Sequence, residues 1–108
     1  MLLPQRKEYH MFLVRNVFRT KPGKATELVK IFKNAEQYLP EFGVQNTKIL
    51  TDVSASFWTV VLQSEVENLN DYVDMAKKVS KQPKIGEAMK GYMDLVNEGY
   101  REIFRIEE

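Results

Sequence analysis

The chain has 108 residues, 44% of them hydrophobic and 29% charged, with sixteen Lys and Arg against fifteen Asp and Glu for a formal net charge of +1. That is the make-up of one globular domain large enough to build a core without staples, and its charge balance offers no global attraction to nucleic acid or to an anionic membrane. With no cysteine there are no disulfides, thiolate nucleophiles or cysteine metal sites, and the lone histidine, His10, cannot build a histidine-rich metal centre.

Residues 1–9 read as a polar tail, because the apolar start Met1-Leu-Leu3 is cut by Pro4 and followed by charges, too short for a signal-peptide core. No stretch approaches the roughly 18 apolar residues of a membrane span, so the expected location is cytoplasmic. Residues 10–108 read as a single domain without internal repeats or linkers. Met11–Phe18 is rich in β-branched and aromatic residues and reads as a strand. One of its faces carries Phe12, Val14, Asn16 and Phe18, the other Met11, Leu13, Arg15 and Val17, so both sides are expected to meet protein.

The strand runs into Thr20-Lys-Pro-Gly-Lys24 and leaves as a helix. Phosphate loops need several glycines whose backbone N–H groups converge on an anion. This stretch has one glycine, and Pro22 removes a donor, so it reads as a corner, with Pro22 placed in the first turn of the helix. Ala25, Leu28, Val29, Phe32, Ala35 and Leu39 then recur at helical spacing until Pro40 and Gly43 end the stripe. Val44–Thr51 and Phe57–Gln63 form an antiparallel pair through a polar link. In the second of these, Trp58, Val60 and Leu62 are expected on one face and Phe57, Thr59 and Val61 on the other. Asn68 reads as the cap of a second helix striped by Leu69, Tyr72, Val73, Ala76 and Val79. Pro83 begins a short helix carrying Ile85, Ala88, Met89 and Tyr92, and Tyr100–Ile106 closes the chain as a strand.

The order β-α-β-β-α-(α)-β predicts an α+β, ferredoxin-like fold, a four-stranded antiparallel sheet with its helices on one face. A lone sheet of this kind would show polar alternation on its uncovered side. Leu13, Val17 and Val61 occupy that side instead, and covering it with the sheet of a second copy predicts a homodimer. Arg15 and Arg19 alternate along the same face, and their expected partners are Glu102 or another carboxylate across the dimer.

This succession of elements, with Arg19-Thr-Lys-Pro-Gly-Lys24 at its first corner followed by Glu27 and Leu28, resembles the dimeric α/β-barrel proteins over residues 10–107. Those include the NIPSNAP-like proteins and the antibiotic-biosynthesis-type monooxygenases. The resemblance implies a homodimer with any ligand seated between sheet and helices. Haem-degrading relatives carry an asparagine on the first strand, a tryptophan early in the second helical region and a proximal histidine on the next. Asn16 sits at the place of the first and Tyr72 at the place of the second, but Met89 falls where the histidine would be. A thioether tunes iron differently from an imidazole, so the resemblance gives no support to haem degradation, and no cofactor or metal is expected.

Asn16 is an amide on an otherwise apolar strand face and must find partners or cost about 1–3 kcal/mol. It reads either as a locally satisfied structural amide or as a ligand-orienting one. Asn16, Trp58, Tyr72, Met89 and Tyr92 are the candidate ligand-binding residues, with Asn16 and Tyr72 the candidates for any catalysis. Trp58 as core, and the methionines as core filling, are the bland alternatives. Acid/base carboxylate pairs, a serine elbow with a histidine base and an RNA-binding aromatic pattern are missing. Two functions remain open: an uncharacterised homodimer that binds a small apolar ligand, and a cofactor-independent monooxygenase acting on an aromatic or otherwise apolar substrate.

Overall fold

In the computed structural model, which describes residues 11–54, 57–79 and 82–107, the strand Phe12–Thr20 (β1) leads to the helix Ala25–Glu36 (α1). A 3-10 turn at Pro40–Phe42 precedes the strands Val44–Thr51 (β2) and Thr59–Val66 (β3). The helices Leu69–Val79 (α2), Pro83–Ala88 (α3) and Tyr92–Leu95 (α4) follow, and the strand Val96–Arg105 (β4) completes the order. The sheet runs β2-β3-β1-β4, with every described pairing antiparallel. The ferredoxin-like α+β architecture expected from the element order is therefore present. The expected tail at 1–9 lies outside the described residues, as does His10.

The first corner is a turn. Lys24 N–H donates to the Lys21 carbonyl at 3.0 Å, and Gly23 sits at φ 76°. Proline second and a left-handed glycine third in a hydrogen-bonded four-residue turn is the type II pattern. Pro22 thus lies before α1, not in its first turn as expected: the left-handed Gly23 that follows it cannot begin a helix, and α1 starts only after Lys24. The corner is pinned from the other side by Lys21 N–H, which donates to the Leu95 carbonyl at 2.9 Å.

The helix stripe packs as its spacing implies. Leu28 and Phe32 are fully buried against Val60, with Phe18, Ile49, Leu62, Met89 and Tyr92 around them. Phe18 meets Phe32 with ring centroids 5.2 Å apart and Tyr92 edge-on at 6.4 Å. Beneath Phe18, a Cβ added to Gly99 would lie 3.1 Å from Phe18 Cδ1, so the absent side chain is what lets the ring lie down on β4. A second cluster gathers Val14, Leu39, Val44, Val66 and Tyr72. Complete burial of each large side chain in these clusters contributes about 1.5–3 kcal/mol.

Four expectations shift. Trp58 and Phe57 belong to a turn before β3, Trp58 at φ 56°, so Trp58 does not share a strand face with Val60 and Leu62. The turn forms because the Asp52 carboxylate accepts from Thr59 N–H at 2.7 Å and closes the hairpin there. The helix expected from Pro83 through Tyr92 is split in two at Gly91, whose φ of 83° interrupts it. β4 begins at Val96, four residues earlier than read, because its N-terminal part pairs with Phe18, Arg19 and Thr20. On α2, Val73 is exposed and off the stripe, while the side chains of Met75, Ala76 and Val79 lie outside the described residues.

Candidate functional site

β1 is a central strand, and Asn16 is near its midpoint, paired with Leu62 on β3 and with Arg101 on β4. Its side chain faces the helices together with Val14 and Phe18. Tyr72 reaches it from α2, whose start is fixed by the Asn68 cap: Asn68 Oδ1 accepts from Asn70 N–H at 2.8 Å and more weakly from Asp71 N–H at 3.4 Å. This cap, expected from the sequence, puts Tyr72 one turn into the helix, 6% exposed, with its ring in the Val14 cluster.

Three side chains meet there. Arg101 Nε donates to Asn16 Oδ1 at 2.6 Å, and Asn16 Nδ2 donates to the Tyr72 hydroxyl oxygen at 3.3 Å. Since a guanidinium has donors and no acceptor, the Asn16 oxygen must face Arg101 and its NH₂ must face Tyr72. The Arg101 guanidinium also lies over the Tyr72 ring, 5.1 Å from its centroid. Tyr72 accepts in this arrangement, which leaves its own O–H free to donate. No carboxylate among the described residues pairs with Arg101, and its two Nη groups make none of the described contacts.

The other candidates lie apart. Met89 and Tyr92 pack into the α1 cluster around Phe18 and Phe32. Trp58 lies 41% exposed at the far end of the hairpin, lining a cleft of about 410 Å³ with Ala25, Val29, Thr51 and Phe57. A cleft of about 840 Å³ opens between Phe12, Pro40, Val44 and Leu69, and none of the five candidates lines it. Among the described residues no group of His, Cys, Asp or Glu is placed to hold a metal ion, and no helix is long and apolar enough to cross a membrane.

On the opposite face of the sheet, Arg15 pairs with Glu102 and Arg19 with Glu98, both at 3.4 Å. These pairs close within one chain, between neighbouring strands in register, and not across a dimer as expected. They frame a groove of about 400 Å³ whose apolar floor is Val17 and Val61, with Leu50 and Tyr100 at its sides.

With this geometry in view, the likenesses to solved structures agree on one architecture. A NIPSNAP family protein of unknown function from Agrobacterium tumefaciens superposes with a TM-score of 0.76 at 14% identity, covering 92% of this chain and 90% of that one. The fold is that of the NIPSNAP proteins and the antibiotic-biosynthesis-type monooxygenases. A candidate antibiotic biosynthesis monooxygenase from Chloroflexus aurantiacus aligns with TM-score 0.71 at 14% identity over 91% and 94% of the two chains. Another from Nitrosomonas europaea aligns with TM-score 0.66 at 18% identity over 92% and 90%. The sequence matches no family model and no curated protein. At these identities the likeness is one of fold.

Within this NIPSNAP-like fold, Arg101 is the residue that sequence reasoning missed. The in-chain register that sets Arg15 against Glu102 also brings Asn16 opposite Arg101, but the pairing expected for Arg15 was across a dimer and did not supply that register.

Proposed function

We propose that this protein is a homodimer in which each copy binds a small, largely apolar ligand between α2 and the sheet, oriented by Asn16, Tyr72 and Arg101. The observation that carries the ligand site is the meeting of an amide, a phenol and a guanidinium at the boundary of the helix layer, with N–H and O–H donors left over. Asn16 itself is satisfied by one partner on each side, Arg101 at its oxygen and Tyr72 at its NH₂. Here both of its partners retain unused donors, and Arg101 is exposed to solvent.

The pairing of two copies rests on the open sheet face. Leu50, Tyr100 and Phe104 are exposed there beside Val17 and Val61, an apolar surface of the kind that marks a protein–protein contact. Because Arg15 and Arg19 are already paired with Glu102 and Glu98, the charges that frame the groove do not stand alone when a second sheet covers it. Such an interface buries at least about 800 Å² per partner.

The contact between Asn16 and Tyr72 also favours a second reading, a cofactor-independent monooxygenase. An activated CH₂ flanked by aromatic rings would give up a proton, and its carbanion would donate electrons to O₂. The CH₂ would end as C=O and the second oxygen atom as water. The protein would orient the anion and keep the site dry.

Native mass spectrometry of the untagged protein, as purified, tests the first reading. Twice the chain mass with a bound small molecule is the expected result; a monomer at micromolar concentration would overturn the paired-sheet arrangement. Oxygen uptake on polycyclic phenols and ketones, with ¹⁸O₂ incorporation into the product, tests the second.

A further inference from the structure

The two faces of β4 carry opposite charge. Glu98 and Glu102 point to the open face and are used by Arg19 and Arg15. Arg101 and Arg105 point to the helix side, where no carboxylate among the described residues meets either of them. Arg105 only overlies the Phe12 ring, at 5.8 Å. Arg101 is different because it is held in place: one N–H is committed to Asn16 Oδ1 at 2.6 Å, and its Cζ lies over the Tyr72 ring at 5.1 Å.

Neither restraint neutralises the charge. An amide oxygen and an aromatic face orient a guanidinium without supplying an anion. With Nε occupied, the edge that carries Nη1 and Nη2 remains, and that edge matches the two oxygens of a carboxylate. The rotamer entropy of a long side chain, normally lost when a ligand binds, has already been given up to Asn16 and Tyr72. Along β4 the next residue on the same side is Ile103, half exposed, roughly 7 Å away at two strand residues' rise. Toward the other end lies Gly99, which has no side chain.

We infer that the ligand of this site is an organic acid, its carboxylate received end-on by the Nη groups of Arg101 and its apolar body lying along β4 over Ile103. This rests on the ligand-binding reading proposed above and names its chemical class. Asn16 acts as a positioning residue for Arg101, and the Tyr72 hydroxyl supplies a further donor to a carboxylate oxygen.

The test uses a panel of matched aryl carboxylates and aryl carboxamides of one to three rings, titrated into the full chain. Binding is read by calorimetry and by the side-chain Nε–H resonances of the arginines. The acids are expected to bind at least tenfold tighter than their amides and to shift the Arg101 Nε–H signal more than that of Arg105. Arg101→Gln, which can still donate to Asn16, should abolish the preference, and Arg101→Lys should restore only part of it. Equal binding of acid and amide would overturn the acid assignment while leaving an apolar ligand site standing. An acid preference that survives Arg101→Gln would place the anion elsewhere and overturn it too. If no pair binds, the ligand site itself is lost along with the inference.

Discussion

The two faces of one sheet are built from alternate residues of the same strands, yet they handle polar groups in opposite ways. On the open face each arginine finds a glutamate on the next strand, Arg15 with Glu102 and Arg19 with Glu98. The arginine charges there are balanced locally, though Arg15 Nε is buried without a hydrogen-bond partner, and Val17 and Val61 are left as the floor of a groove. On the helix face Asn16 is tied to Arg101 and Tyr72 in a chain that ends in unused donors. A balanced face can be covered by another protein surface. An unbalanced one asks for a counter-ion.

Four changes break or sharpen this comparison. The largest effect belongs to the helix face: Phe32→Ala removes a fully buried ring and is expected to cost about 3–5 kcal/mol of unfolding free energy, read from urea titrations. A cost below about 1 kcal/mol would mean that α1 does not carry the core. On the open face, Leu50→Glu places an unpaired charge at the side of the groove and should weaken self-association about 100-fold, roughly 3 kcal/mol, in sedimentation equilibrium. Its far-ultraviolet circular dichroism should stay unchanged. An unaltered dimer constant would move the interface off this face.

Asn16→Ala removes the acceptor for Arg101 and the donor to buried Tyr72, with an expected loss of about 1–3 kcal/mol. It should also broaden the Arg101 Nε–H resonance, a readout that loss of packing alone would not move. The smallest effect is at Arg19 and Glu98, whose side chains are 45% and 63% exposed. A double-mutant cycle in the Leu50→Glu background should give a coupling of only about 0.2–1 kcal/mol, screened further by salt. In the wild-type background the same cycle should give a larger value, because a covering sheet would take the pair out of water. Equal couplings in both backgrounds would argue that these charges stay wet.

Much of the fold was legible because it depends on local signals that tertiary contacts do not override. The stripe from Ala25 to Ala35 has one apolar side at helical spacing, and it packs on that side. Asn68 caps α2 because its side chain reaches the next backbone N–H groups whatever the rest of the chain does. Boundaries were less legible where a single backbone angle decides them. The left-handed Gly23 put Pro22 into a turn and not into α1, and Trp58 was lost from β3 because Asp52 closes the hairpin one residue later. Of the candidate site, Asn16 and Tyr72 were visible as polar or phenolic groups on apolar stripes, and they do meet. Met89, singled out by the resemblance at the place of a proximal histidine, and Tyr92 and Trp58, singled out as aromatic residues, lie in other parts of the molecule.

The sequence by itself determined the order of elements, the apolar faces and the corner at Thr20–Lys24, since periodicity and turn chemistry act over a few residues. Only the tertiary structure decided that Arg101 joins Asn16 and Tyr72, and that Arg15 and Arg19 are neutralised within one chain. Those contacts depend on the register of β1 against β4, strands separated by most of the chain. A slip of β4 by one residue would turn Arg101, Glu98 and Glu102 to the opposite face.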